Sequence, residues 1–191
     1  MSNALTYLEV GYEYQKNGDF DKAIASYTEA LRIDPNYETA YSSRGLTYKE
    51  KGDIDKAMAD FTAAIRINPD YWEAYYYRGN TYGDKDDLDK AIADYTEAIR
   101  IGPDGDCGYF ERGIAYNRNG DYDLAIADFT TAIRIDPTNE SSYIQRGVAY
   151  SAKGDVDRAI ADFNEALRLD PNGKYAPALR DDIRELRAGK P

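Results

Sequence analysis

Residues 41–71 decide the fold, and they read YSSRGLTYKEKGDIDKAMADFTAAIRINPDY. Tyr41, Gly45 and Tyr48 follow one another at i, i+4 and i+7, which places all three on one face of a helix. The alanines and the phenylalanine of the second half have the same helical spacing. Between them, the Lys-Gly-Asp sequence at 51–53 supplies a glycine that ends one helix and an aspartate that caps the next. The stretch therefore predicts two antiparallel helices joined by a tight turn.

This pair of helices is one copy of a unit that recurs along the chain with a period of 34 residues. A fixed period of this size indicates a tandem array in which neighbouring copies stack on one another. Glycine and alanine at the repeated positions let helix backbones approach closely, and aromatic side chains fill the remaining gaps. The repeated positions are Pro35, Pro69, Pro103, Pro137 and Pro171; Gly11, Gly45, Gly79, Gly113 and Gly147; Ala23, Ala57, Ala91, Ala125 and Ala159; and the aromatics Tyr27, Phe61, Tyr95, Phe129 and Phe163.

These columns resemble the tetratricopeptide repeat, a unit of 34 residues. The resemblance implies an all-α fold: an α-solenoid, wound as a right-handed superhelix, of five helix-turn-helix units with a C-terminal capping helix. The arginine before most of the repeat glycines resembles repeats that are frequent in bacterial proteins. The predicted repeats are 4–37, 38–71, 72–105, 106–139 and 140–173, with an N-terminal tail at 1–3 and a capping helix and tail at 174–191.

Within each repeat, the pattern predicts a first and a second helix. Two places depart from it. Asp86 replaces the glycine that ends the first helix in the other repeats, so we expect strain there if a left-handed residue is required. Three glycines in 102–108 replace the usual linker, which predicts a frayed helix start and a hinge. The first helices are predicted at about 4–17, 38–51, 72–85, 107–119 and 140–153, and the second helices at about 20–33, 54–67, 88–101, 122–135 and 156–169.

The composition opposes several classes of partner and of chemistry. The net charge of −11 disfavours nucleic acid and anionic membranes as partners. The chain has no histidine and one cysteine, and it carries no phosphate-binding loop, so we expect no enzyme, no cofactor and no metal site. The aspartates of 84–89 and the thiol of Cys107 are interpreted as a solvated turn and an incidental small residue. A calcium loop and a reactive thiol are the weaker alternatives.

Location is predicted only by default. The chain has no run of about 18 apolar residues and no signal-like start, so we expect a cytoplasmic protein. A mature secreted or periplasmic fragment would look the same.

A column of arginines stands beside the repeat glycines. Arg44, Arg78, Arg112 and Arg146 are accompanied by Asp60, Asp94, Asp128 and Asp162, and the first repeat loses both partners together, having Val10 and Ser26 instead. We therefore expect arginine–aspartate pairs between first and second helices. An anion-binding ladder along the groove is the alternative.

The family resemblance implies that first helices line a concave groove and that a protein or peptide partner lies there. Apolar residues without an evident packing role in the repeat suggest the same surface. The alternative is that some of them pack between neighbouring first helices. The predicted groove residues are Tyr12, Leu46, Tyr76, Tyr77, Asn80, Phe110, Glu111, Ile114, Ile144 and Val148.

Chaperone-binding members of the family hold a partner's C-terminal carboxylate with lysine, asparagine and arginine. The matching positions carry Leu8, Tyr12, Ser43, Glu73 and Tyr77, and shifting the frame by whole repeats gives a single match at Asn80. We therefore predict an interaction scaffold without such a carboxylate clamp.

The first repeat has no capping device, so Leu5, Leu8 and Tyr12 are expected to be partly exposed. The alternative function is therefore a self-assembling scaffold, a homo-oligomer that docks through this uncapped N-terminal repeat.

Overall fold

The computed structural model describes residues 3–102 and 105–189. Within these ranges the regular structure is helical, with no strand. No helix there is both long and apolar enough to cross a bilayer. The helices are α1 (Ala4–Lys16), α2 (Phe20–Ile33), α3 (Glu38–Glu50), α4 (Ile54–Ile67), α5 (Trp72–Asp84), α6 (Leu88–Ile101), α7 (Asp106–Asn119), α8 (Tyr122–Ile135), α9 (Glu140–Ala152), α10 (Val156–Leu169) and α11 (Ala176–Arg187).

The helices confirm the predicted all-α repeat array. The odd-numbered helices α1 to α9 are the first helices of the repeats, and the even-numbered helices α2 to α10 are the second helices. Both ends of every second helix fall at the predicted residues. Four of the first helices end one residue earlier than predicted, and α7 begins one residue earlier.

The chain forms two compact units, residues 1–103 and 104–191. In unit 1, each first helix packs against the second helix that follows it, and α2 and α4 also pack against the next first helices, α3 and α5. Neighbouring first helices of unit 1, α1 with α3 and α3 with α5, also touch. In unit 2, the same serial packing joins α7, α8, α9, α10 and finally α11, and α7 touches α9.

Inside each repeat, a glycine of the first helix lies directly against an aromatic ring of the second helix. A Cβ atom added to Gly45 would lie 2.8 Å from Cε1 of Phe61, and one added to Gly147 would lie 2.5 Å from Cε1 of Phe163. Because both rings are buried, they cannot retreat to make room. The glycine column therefore exists so that the ring of the second helix can lie against the backbone of the first.

The turn inside each repeat requires a left-handed residue. Gly52, Gly120 and Gly154 take it with φ of 82°, 87° and 78°. Asp86 stands at the same position of the third repeat and adopts a φ of 61°, the one positive value at a non-glycine residue in the described ranges. This confirms the strain expected from the sequence, since a side chain at such a φ crowds the following carbonyl.

Most linkers between repeats are closed by a side chain that accepts a backbone hydrogen bond two residues on. Asn68 Oδ1 accepts from the Asp70 N–H at 3.1 Å, and Asp136 Oδ1 accepts from the Thr138 N–H at 2.9 Å. Gly102 stands at the same position after α6 and has no side chain for this turn. The predicted hinge falls partly on Pro103 and Asp104, which lie outside the described residues.

The first repeat corrects one expectation. Leu5 is 50% exposed and Tyr12 is 43% exposed, as predicted, but Leu8 is only 4% exposed. Leu8 belongs to a cluster with Ala23, Tyr27 and the neighbouring repeat. The expectation was wrong for Leu8 because it points toward α2 and α3 and needs no preceding repeat to cover it.

The last helix follows the repeat period on one side only. Ala176 and Ile183 lie 34 residues after Ser142 and Ala149, and all four are buried. On the other side, the two tyrosines and the glycine that meet a second helix in α9 are replaced by Pro177, Arg184 and Asp181. The helix thus covers α10 and offers water a polar surface, as a cap requires.

Candidate functional site

In unit 1, Tyr12 is both exposed and held in place. Its ring stands edge-on to Tyr27, with centroids 5.8 Å apart, and its hydroxyl accepts a hydrogen bond from Ser43 Oγ at 3.0 Å. Leu46, one repeat later, is half-buried. These contacts orient Tyr12 toward solvent along the first-helix side of the unit.

Tyr76 and Tyr77 of α5 form the centre of an aromatic cluster. Their ring centroids lie 5.4 Å apart; Tyr77 lies 6.0 Å from Phe61, and Tyr76 lies 6.2 Å from both Trp72 and Tyr95. All except Phe61 and Tyr95 retain exposed surface. The cluster therefore presents rigid aromatic edges to solvent.

The predicted groove residue Asn80 has a structural partner. Its Oδ1 accepts a hydrogen bond from the Tyr95 hydroxyl at 2.8 Å. In the first repeat the Tyr27 hydroxyl donates in a similar way, but to a residue one helical turn further on, Oε1 of Gln15 at 2.9 Å. Burial raises the pKa of Tyr27, and it raises the pKa of Tyr71 to about 12. These phenols therefore remain protonated hydrogen-bond donors at neutral pH.

In unit 2, the predicted residues on α7 and α9 pack more than expected. The Phe110 ring stands edge-on to Phe129 at 5.8 Å, and Ile114 packs against the same cluster. Ile144 packs against the cluster of Ala159 and Phe163. The expectation that these side chains lack a packing role was wrong, because each packs against a buried cluster that includes residues of a second helix.

Two further predicted residues of unit 2 differ in their surroundings. Val148 is 44% exposed and faces an opening beside α11. Glu111 is half-buried, and its side chain or backbone already has an interaction partner within the protein. Along the first helices, the predicted residues thus combine packed inner edges with solvent-facing outer edges, and their role in binding stays a prediction.

The arginine column forms the predicted pairs. Nε and Nη2 of Arg146 donate to the two oxygens of Asp162, each at 2.8 Å, and Nη1 donates to Thr130 Oγ1 of the preceding repeat at 3.0 Å. The guanidinium also lies 5.8 Å and 6.0 Å from the ring centroids of Tyr143 and Tyr150. Arg44 and Arg78 repeat the arrangement in unit 1.

These pairs are structural. The side chains of Arg146 and Asp162 are 17% and 9% exposed, and the hydrogen bond with Asp162 raises the pKa of the arginine. With three of its N–H groups engaged and two tyrosine rings beside it, the guanidinium has little capacity left for an external anion. The geometry supports the pairing hypothesis over the anion-binding ladder.

The remaining chemical candidates find little support. Burial, and after it the neighbouring Asp106 carboxylate, raises the pKa of the Cys107 thiol, which disfavours a reactive thiolate at neutral pH. The described residues include no group of three or more carboxylates, thiols or imidazoles arranged to hold a metal ion.

Sequence reasoning missed one opening, which lies between α9 and α11 beside Val148. A signal for it exists in the repeat columns. Ser151 and Ala152 are small where α7 carries Asn117 and Arg118. Periodicity alone cannot show that this leaves an opening, because that depends on where α11 lies.

Comparison with solved structures shows the same fold. A crystal structure of MamA has 30% sequence identity and a TM-score of 0.78, covering 85% of this chain and 95% of that chain. YrrB, described as a TPR protein with an unusual peptide-binding site, has 21% identity and a TM-score of 0.77, covering 94% and 92%. A tetratricopeptide repeat protein from Parabacteroides merdae has 19% identity and a TM-score of 0.82, covering 97% and 73%.

A comparison with curated protein sequences gives no significant match. Family models do match. The TPR repeat model matches residues 11–52 and 45–86, and the tetratricopeptide repeat model matches 72–104, 107–139 and 141–172. The matches thus reach from the first predicted repeat into the fifth, over most of the length of the sequence. The chain belongs to the tetratricopeptide repeat family.

Proposed function

We propose that the protein is a non-catalytic scaffold that binds a peptide or helix of a partner protein along its first helices. Family and fold neighbours indicate a protein–protein interaction scaffold. The observation that carries the finer proposal is the row of solvent-facing apolar and aromatic edges whose inner sides are packed. Such side chains lose little conformational freedom on binding and are favoured at interfaces.

In unit 1, the binding residues are Tyr12, Leu46 and the aromatic cluster around Tyr76 and Tyr77. In unit 2, they are the outer edges of α7 and α9, ending at Val148. The description of YrrB as having a peptide-binding site supports a peptide as the ligand class. The clamp for a C-terminal carboxylate is not part of the proposal, because its lysine and arginine positions carry other residues here.

The test uses single lysine substitutions at exposed positions of the first helices. Tyr12→Lys and Val148→Lys place a charge on the first-helix side of units 1 and 2. Ile33→Lys and Leu124→Lys are matched controls, since both residues are exposed apolar side chains on second helices, 41% and 50% exposed. Each tagged variant is used to capture partners from a lysate, and mass spectrometry quantifies them.

We expect a partner retained by wild type and both controls to be lost from at least one first-helix variant. Circular dichroism confirms that all four variants fold. Capture that is unaffected by Tyr12→Lys and Val148→Lys, or reduced equally by the controls, would contradict binding along the first helices.

A second candidate function is self-assembly through the N-terminal repeat. Leu5 and Val10 of α1 are 50% and 40% exposed, and Val10 stands where the other repeats carry the paired arginine. Light scattering of wild type and a Leu5→Ser/Val10→Ser variant over a dilution series tests it. A dimer that dissociates on dilution and is absent in the variant would favour self-assembly; a monomer throughout would exclude it.

A further inference from the structure

A pocket opens between the C-terminal halves of α9 and α11, inside unit 2. Its volume is about 350 Å³, within the range of about 300–1,000 Å³ usual for ligand pockets. Val148, Ala152 and Leu186 form its apolar walls, and the ring of Phe163 forms its floor. The pocket can therefore bury an apolar side chain of a ligand.

The packing of the last helix explains why the pocket is open. α11 packs against α10, but within the described residues none of its Cα atoms lies within 8 Å of a Cα of α9. The first helices of unit 2, α7 and α9, do approach each other this closely. Ser151 and Ala152 are also too short to fill the gap that α11 leaves.

The rim of the pocket is acidic. Asp182 and Glu185 of α11 line it and are exposed, and none of the described residues that line it is basic. In the described part of the chain, neither carboxylate takes part in an ion pair; the adjacent Arg184 is paired with Asp181. Two carboxylates thus stand beside an apolar cavity, and within the described residues no ion pair neutralises either of them. The net charge of −11 adds a long-range attraction for cationic ligands.

We propose that this pocket binds a peptide segment in which an aliphatic or aromatic side chain stands next to lysine or arginine. The apolar side chain enters the cavity beside Val148 and lies over Phe163. The neighbouring ammonium or guanidinium group meets Asp182 and Glu185. The inference rests on the proposed peptide-binding function and assigns it one pocket and one ligand chemistry.

The test uses three fluorescently labelled heptapeptides and the full chain. The first is Gly-Ser-Lys-Leu-Lys-Ser-Gly; in the second both lysines are glutamate, and in the third the leucine is serine. Anisotropy titrations at low ionic strength should detect binding of the first peptide only. In nuclear magnetic resonance spectra, the amide shifts that it causes should cluster at the C-terminal halves of α9 and α11.

Two variants probe the two parts of the pocket. Asp182→Asn/Glu185→Gln removes the rim charges and should weaken binding about 2- to 30-fold, since each exposed ion pair contributes modestly. Ala152→Phe fills the cavity from an exposed position and should abolish detectable binding. The control Asp55→Asn/Asp89→Asn changes the net charge equally, on exposed residues of unit 1, and should leave the affinity unchanged.

Equal affinity for the glutamate peptide, shifts that map elsewhere, or full affinity of either pocket variant would overturn the proposal. The two experiments together distinguish failure of the pocket proposal from failure of the proposed first-helix binding. If the lysine-leucine peptide does not bind but Tyr12→Lys still loses a captured partner, the pocket assignment is wrong and the first-helix interaction stands. If the first-helix lysine variants capture partners as well as wild type does, while the peptide binds at α11, the broader proposal fails instead.

Discussion

Replacing the Arg146–Asp162 pair tests whether the arginine column stabilises the array. The first repeat supplies the substitutions, because it carries Val10 and Ser26 at the corresponding positions. Arg146→Val leaves the Asp162 side chain, only 9% exposed, without its two guanidinium hydrogen bonds. Breaking a buried pair from one side costs about 3–5 kcal/mol. Because the arginine is 17% exposed, we expect the lower end, about 3 kcal/mol.

The double variant separates the pair from its individual members. Asp162→Ser alone should cost about 2 kcal/mol, since the arginine left behind still reaches Thr130 and some solvent. Arg146→Val/Asp162→Ser removes both charges together and should also cost only about 2 kcal/mol. The coupling free energy, the two single losses minus the double loss, is then about 3 kcal/mol, at the upper end for contacting residues.

Urea unfolding followed by far-ultraviolet circular dichroism measures these losses. Arg158→Val is the matched control on the same unit, because Arg158 pairs with Asp155 at the surface and is 67% exposed. Its loss should stay below about 1 kcal/mol. Losses of the single variants that simply add up in the double variant, or an Arg146→Val loss no larger than the control's, would refute the reasoning.

Five other substitutions have expected outcomes in unfolding assays. Gly79→Ala should cost about 1–3 kcal/mol because the new Cβ would lie 2.9 Å from the Tyr95 ring. On the same helix, Gly83→Ala meets only the Tyr95 hydroxyl at 3.5 Å and should stabilise by about 0.5–1 kcal/mol; equal signs would contradict the packing argument. Asp86→Gly should add about 1 kcal/mol by relieving the φ of 61°, and no gain would show that the aspartate is unstrained. Ser142→Ala should add about 1 kcal/mol, since the buried Oγ has no hydrogen-bond partner within the described residues; a loss would reveal one. Unfolded tyrosines ionise near pH 10 and burial raises the pKa of Tyr27, so the folded state keeps its proton longer and stability should fall as the pH rises above about 10. Tyr27→Phe should lose less stability than wild type over this range, and identical alkaline unfolding would contradict the assignment.

The sequence predicted the helices well because their signals are local. Each second helix begins directly after an aspartate and ends two residues before a proline, and these signals recur with the period. Asp86 could be predicted as strained for the same reason, since its column otherwise holds glycine.

The candidate site was predicted less completely. Periodicity identifies the side of a first helix but not which residues there pack against neighbouring helices, so the packing of Phe110 and Ile114 was missed. Leu8 was placed at the surface because no repeat precedes it, although its cover comes from the following helices. The pocket beside α11 was missed because it depends on the distance between α9 and α11.

The joint between repeats has a consequence for how arrays of this kind change length. Inside each unit, one repeat offers a threonine and the next supplies an arginine that binds it, as in Thr28 with Arg44 and Thr62 with Arg78. A duplicated internal segment of 34 residues carries the arginine of this hydrogen bond on its first helix and the threonine on its second helix. Its insertion therefore creates two matched interfaces where one stood. Whole-repeat duplication in the interior is consequently the mutational step that this architecture accepts most readily, whereas an added second helix after α11 would meet Asp181 in place of the glycine it needs.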